Sequence, residues 1–344
     1  MRLISLFVVA LVFVGCKKDK PNVDTSSFEL KNGVLVLCEG LFQQNNSSVS
    51  WIDNSGGINN SIFADRANRS LGDTGNDMKQ YGGKVYIVVN NSSTLEVLSA
   101  HDFSSIKQIQ MVEGSTPKQP RSIAFHGSNA FVSCFDGYVD VIDTASLTIT
   151  ERIQVGANPE GMAVANNKLY VANSGGLNFP NVDSTLSVID LSTNSEIQKV
   201  VVGKKPGTII ADAYGDVYVI ARGDYGSIPS RLVRVNTTTD TNEETFPFDI
   251  SLITAMNNNF LISDGVTIST FDPALEQVSM SNMINLGGVT TLYNIAYNSS
   301  NDQIYLFDAM NYTNLGYIRT FTMSGSHITD YHLGLNPSKA LFYD

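Results

Sequence analysis

A short apolar run built around an aromatic residue returns at near-regular intervals along the chain: Val85-Tyr86-Ile87-Val88, Ala130-Phe131-Val132-Ser133, Leu169-Tyr170-Val171-Ala172, Val217-Tyr218-Val219-Ile220, Phe260-Leu261-Ile262 and Ile304-Tyr305-Leu306-Phe307. From Tyr86 the aromatics step by 45, 39, 48, 42 and 45 residues. A second apolar triplet precedes each run, in the clearest copies three residues behind Pro120, Pro159 and Pro206. An alternating segment follows, closing on Asp or Asn at 49–53, 139–143, 186–190, 232–236 and 267–272. Proline fixes the entry turn of a strand, and a terminal Asp or Asn suits a turn capped by its own side chain. Four short strands per 39 to 48 residues, with no sustained 3.6-residue apolar stripe, describe an all-β, seven-bladed β-propeller of four-stranded antiparallel blades.

Residues 34–37 supply a seventh copy of the aromatic-type strand, but nothing before them reads as its inner neighbour. The chain instead ends on Pro337 followed by Ala340-Leu341-Phe342, the opening of an inner strand. The C-terminal strand is therefore expected to complete the first blade, which closes the ring and leaves only short outer edges.

The N-terminus sets Met1-Arg2 before an apolar stretch at 3–14 and then Gly15-Cys16. Twelve residues are too few to span a bilayer and suit the apolar region of a signal peptide, assigned to 1–15. Phe13-Val14-Gly15-Cys16 resembles a bacterial lipobox, which makes Cys16 the lipidated residue. A polar tether at 16–29 would join that anchor to a propeller domain at 30–344, and the expected location is the outer membrane, lipid-anchored and exposed at the cell surface. Cys38 and Cys134 end apolar runs and match no metal or redox spacing, so both read as buried free thiols. Thirty-three acids against 22 bases give a net charge of -11 without a local basic stripe, which argues against a nucleic-acid partner.

Strands buried between blades leave function to the loops and the axial opening. The connections after the second strands are long at 39–48, 173–183, 222–230 and 308–316, and all fall at one end of the disc, as does the blade-to-blade connection at 64–76. They are rich in Asn, Gly and Asp, with Asn46, Asn173, Arg222 and Asp308 as polar candidates. Phe42, Phe179, Tyr225 and Tyr312 stand alone in polar loops, and Phe135 in a short one, either facing a ligand or packing on their own loops. Glu39, Asp73, Asp224 and Asp308 are acidic rim residues, read chiefly as solvated or turn-forming carboxylates. His101, His126, His327 and His332 show no metal spacing; no nucleophile elbow or phosphate-binding glycine loop is present, and no cofactor is expected.

The units PEGMAVANNKLYVANSGG and STLSVIDLSTNSEIQKVVVGKKP resemble the YVTN, or YncE-like, seven-bladed propellers over residues 30–344. CEGLFQQNNSSVSWID, IFADRANRSLGDTGNDM and KVYIVVNNSSTLEVL further resemble the surface-exposed propeller lipoproteins of Bacteroidetes-type bacteria, whose best-understood members capture cobalamin and hand it to a TonB-dependent transporter. That resemblance implies site residues in three stretches. The family's Asn-Glu-Gly falls on Cys38-Glu39-Gly40, its Asn-Gly-x-Leu-Gly-Asp on 68–73, bringing in Asn68, Arg69 and Asp73, and its Val-Asn-Asn-Ser on Val89-Asn90-Asn91-Ser92. Cys38 and Arg69 depart from the family residues. Three readings remain open: capture of a small polar ligand, cobalamin or a glycan, for a TonB-dependent transporter, which is favoured and is not enzymatic; a protein-binding adhesion or scaffold propeller; and a lactonase- or lyase-like enzyme.

Overall fold

The computed structural model describes residues 28–344. The signal segment, Cys16 and most of the proposed tether lie outside them. Seven four-stranded antiparallel sheets follow one another around an axis. The inner strands are Pro337–Tyr343, Gly75–Tyr81, Pro120–His126, Pro159–Ala165, Pro206–Ala211, Leu252–Met256 and Leu292–Asn298. The first of these is the C-terminal strand, paired with Gly33–Cys38 in the register Val34↔Phe342, Leu35↔Leu341, Val36↔Ala340. The ring closes as the sequence indicates.

Strand alternation divides each second strand between two neighbours. In Gly33–Cys38, Leu35 and Leu37 join the apolar layer shared with the second blade, while Val34, Val36 and Cys38 join the layer shared with the last. Seven such layers fill the seven seams, and the repeating aromatics Tyr86, Phe131, Tyr170 and Tyr218 are fully buried in them. Cys38 and Cys134 are buried free thiols, and burial pushes Cys38 up to about 11.

The closing Asp and Asn residues of the third strands act as turn formers. Asp143 accepts from the Ala145 and Ser146 amides, Asp190 from Ser192, Asn236 from Thr238 and Thr239, and Asp272 from Ala274 and Leu275. Two elements escape the periodicity. A helix at Ile62–Ala67 replaces most of the fourth strand of the first blade, burying Ile62 and Phe63 against the layer of Trp51, and a hairpin pairs Val112–Glu113 with Thr116–Pro117. Both are too short to impose a readable period. At the N-terminal side, Phe28 and Leu30 pack on that same layer, so the last tether residues belong to the propeller.

Candidate functional site

Antiparallel pairing places every connection that follows a second strand, and the start of every inner strand, at one end of the ring. Six of the seven inner strands slip register at that start: between Gly75 and Asp77, Pro120 and Ser122, Pro159 and Met162, Pro206 and Ile209, Leu292 and Asn294, and opposite Leu37 and Cys38 at Pro337. A bulge of one extra residue re-aims a side chain. The residues in these bulges, Asn76, Arg121, Glu160, Thr208, Tyr293 and Ser338, line two contiguous hollows of about 310 and 290 Å³ among the inner strands. Together they form an axial cleft beneath the long-loop rim.

Its lining is charged. Arg121 pairs with Glu160 at 3.0 Å and lies over the Phe135 ring, 4.6 Å from its centroid. Asp77 is buried, with Lys79 at 3.8 Å and Lys339 at 3.9 Å. Burial raises its carboxyl, but the two lysines and the bonds from Ile123 and Ser122 outweigh it and hold Asp77 below the usual range. Glu39 shows the reverse balance: burial pushes it up against the opposing bond from the Tyr293 hydroxyl and the field of Arg121. Arg222 borders both lobes and a third hollow of about 550 Å³ under the 225–230 loop. Its guanidinium packs over Gly207, where a Cβ would come within 2.7 Å of Cζ.

Most of the polar residues expected to face a ligand take part in holding the loops. Asp73 is buried and accepts from the Gln43 and Asn45 amides and from Thr74 Oγ1; these bonds overcome its burial and lower its pKa. Asn90 donates to the Pro120 carbonyl, the Asn91 amide donates to that of Asp73, and Asn46 accepts from the Leu41 amide. Asn173 is fully buried, bonded to Gly156, Thr185 and Ser187. Asp308 accepts from Thr290, Thr291, Met310 and Arg319, which outweigh its burial and lower it. Asn68 is the left-handed C-cap of the short helix, and Arg69 clamps the buried Glu96 with both terminal nitrogens, at 2.9 and 2.5 Å. These eight residues are not brought into the cleft. Amides and carboxylates carry the same donors and acceptors whether they serve a loop or a ligand, so sequence alone did not separate the two uses.

Glu39 and Arg222 do line the cleft, and Phe135 sits under Arg121 beside it. The four loop aromatics pack on no core: Phe42 is 63%, Phe179 66%, Tyr225 72% and Tyr312 50% exposed. Lys205 donates to the Tyr225 hydroxyl at 2.9 Å, and Tyr312 meets Tyr293 edge to face at 6.1 Å. The rim acids Glu39, Asp73, Asp224 and Asp308 do not converge; among the described residues no group of three or more His, Cys, Asp or Glu is placed to hold a metal ion. Sequence reasoning missed Arg121, Glu160, Lys79 and Lys339. The signal was available in the residue directly behind each blade-opening proline, Pro120-Arg121 and Pro159-Glu160.

The fold and this cleft define a closed seven-bladed propeller that offers a hollow axis and a loop rim at one end. Residues 32–331 match the model of a family described as a domain of unknown function, DUF5074, and the chain belongs to that family. No curated protein matches the chain. Similar solved structures include a quinonprotein alcohol dehydrogenase-like protein from Bacteroides thetaiotaomicron VPI-5482, with a TM-score of 0.67 at 12% identity over 91% of this chain and 79% of that one. The Kuenenia stuttgartiensis hydrazine synthase matches with 0.63 at 14% over 75% and 85%. A chain of the mitotic checkpoint complex matches with 0.56 at 13% over 74% and 79%. At such identities the likeness is one of fold.

Proposed function

We propose that the protein is a non-enzymatic capture propeller, anchored to the outer membrane through Cys16, that binds a small polar ligand on the long-loop face and passes it to a TonB-dependent transporter. The observation that carries this reading is the set of exposed aromatics Phe42, Phe179, Tyr225 and Tyr312 on the rim of one end. Flat apolar plates on a rigid ring lose little entropy when they receive a broad, amide-edged ligand, and the resemblance favours a corrinoid for that place. The satisfied loop carboxylates and amides support the same reading, because they fix the rim before a ligand arrives. The chemistry of the cleft supports holding: Arg121 is paired with Glu160, and Asp77 is flanked by Lys79 and Lys339. Isothermal titration with cyanocobalamin and with a set of oligosaccharides tests the proposal. Saturable heat with the corrinoid, lost in a Phe179→Ala, Tyr225→Ala double variant, is the expected result; no heat with any of them overturns it.

A further inference from the structure

The axial cleft carries a sign of charge opposite to that of the whole protein. In a chain of net charge -11, its two lobes are lined by four basic side chains against three acidic ones. The pairings leave a definite remainder. Arg121 is matched by Glu160, and Lys79 and Lys339 share the single carboxylate of Asp77. Arg222 is half-buried at the junction of both lobes, yet its side chain makes no hydrogen bond or ion pair with the described residues. Two hydroxyls beside it, Thr208 and Thr254, line both lobes and are likewise unbonded within the protein. The guanidinium's five donors are thus left to solvent at the junction, free to be taken up by a ligand that carries acceptors.

We propose that the axial cleft is an oxyanion site, distinct from the aromatic rim, in which Arg222 receives the carboxylate or phosphate group of a small molecule with Thr208 and Thr254 as further donors. The planar fork of arginine matches both groups in a two-point contact that a lysine does not reproduce. Gly207 is what allows it: any larger residue there would strike the guanidinium and move it off the junction. Lys339, only loosely engaged with Asp77, supplies a second positive charge from the opposite side of the ring. The hollow under the 225–230 loop, which Arg222 also borders, gives the site a way in from the rim.

Titration calorimetry of the folded propeller with succinate, citrate and inorganic phosphate at low salt tests the site and separates carboxylate from phosphate ligands. At least one of the three is expected to bind saturably, to weaken at least tenfold in Arg222→Gln, and to be unchanged in Lys199→Gln on the outer edge of the fourth blade. Amide chemical-shift changes on the unmutated protein should centre on 207–208, 222 and 254. Absence of binding by all three ions, equal binding by Arg222→Gln, or shifts confined to the outer surface would overturn the proposal. A Phe42→Ala, Phe179→Ala variant, whose two rings line neither the cleft nor its entrance, should keep this binding, so failure of the rim reading and failure of the axial site are told apart.

Discussion

Tyr293, in the inner strand of the last blade, donates its hydroxyl to Oε2 of Glu39, the residue after the second strand of the first blade. The bond crosses the seam where the ring closes, and it joins two groups whose burial works against ionisation.

A pH dependence follows from that pair. Burial raises Glu39 above the usual carboxylate range, so over an interval of pH the native state keeps a proton that the unfolded chain has released. Stability due to this group is therefore greatest below the unfolded pKa and falls as pH rises through the native one. Glu39→Gln, which retains an acceptor for Tyr293, should match the wild type at about pH 4 and become increasingly the more stable of the two toward about pH 8. Tyr293→Phe removes a bond that favours the carboxylate and should extend the window to higher pH. Urea unfolding across the range reads both effects; a difference between wild type and Glu39→Gln that does not change with pH contradicts the assignment.

Trp51 is the sole tryptophan, and it touches both ends of the described chain. Phe28 meets it at 6.0 Å and Tyr343 at 5.9 Å, each edge to face. Its fluorescence thus reports ring closure. Tyr343→Ala should red-shift the emission and cost about 2–4 kcal/mol, since an aromatic is removed from between strands. Tyr343→Phe should stay within about 0.5 kcal/mol, because the hydroxyl is buried without a partner.

The blades were legible because their signal is local: two-residue alternation, an aromatic in each second strand and an Asp or Asn at the turn recur whatever surrounds them. Closure was legible from the surplus strand at Pro337. The charged cleft was not, because the bulge between Pro120 and Ser122 inserts the extra residue, Arg121, at the axis, and strand alternation gives no sign of it. The ion pair of Arg69 was hidden for a related reason. Its partner Glu96 lies 27 residues away on a third strand, and nothing near Arg69 announces it.

Lys118 and Asp140 form an ion pair at 2.7 Å with side chains 3% and 0% exposed, and Arg152 takes the other carboxylate oxygen at 2.8 Å. Truncating the two members should have unequal effects. Asp140→Ala leaves the buried Lys118 ammonium only the longer contact with exposed Glu113, at 3.7 Å, and should cost about 3–5 kcal/mol, whereas Lys118→Met leaves Asp140 still paired with Arg152 and should cost about 1–2 kcal/mol. Chemical denaturation of the two variants gives the comparison, and equal losses would show that Arg152 does not compensate.

The rim aromatics separate folding from binding more sharply than any other group in the molecule. Phe42, Phe179 and Tyr225 each expose well over half their surface, so each contributes little to the core. Replacement of any one by Ala should change stability by no more than about 0.5 kcal/mol. If the same rings stack on a captured ligand, each loss should weaken binding by about 1–2 kcal/mol, or roughly five- to thirtyfold, as expected of an aromatic anchor. Melting curves and titrations on the three single variants measure both quantities. Unchanged melting with weakened binding places the ligand on the rim. Unchanged binding in all three would move it elsewhere, and a large drop in melting temperature would mean that these rings brace their loops rather than wait for a partner.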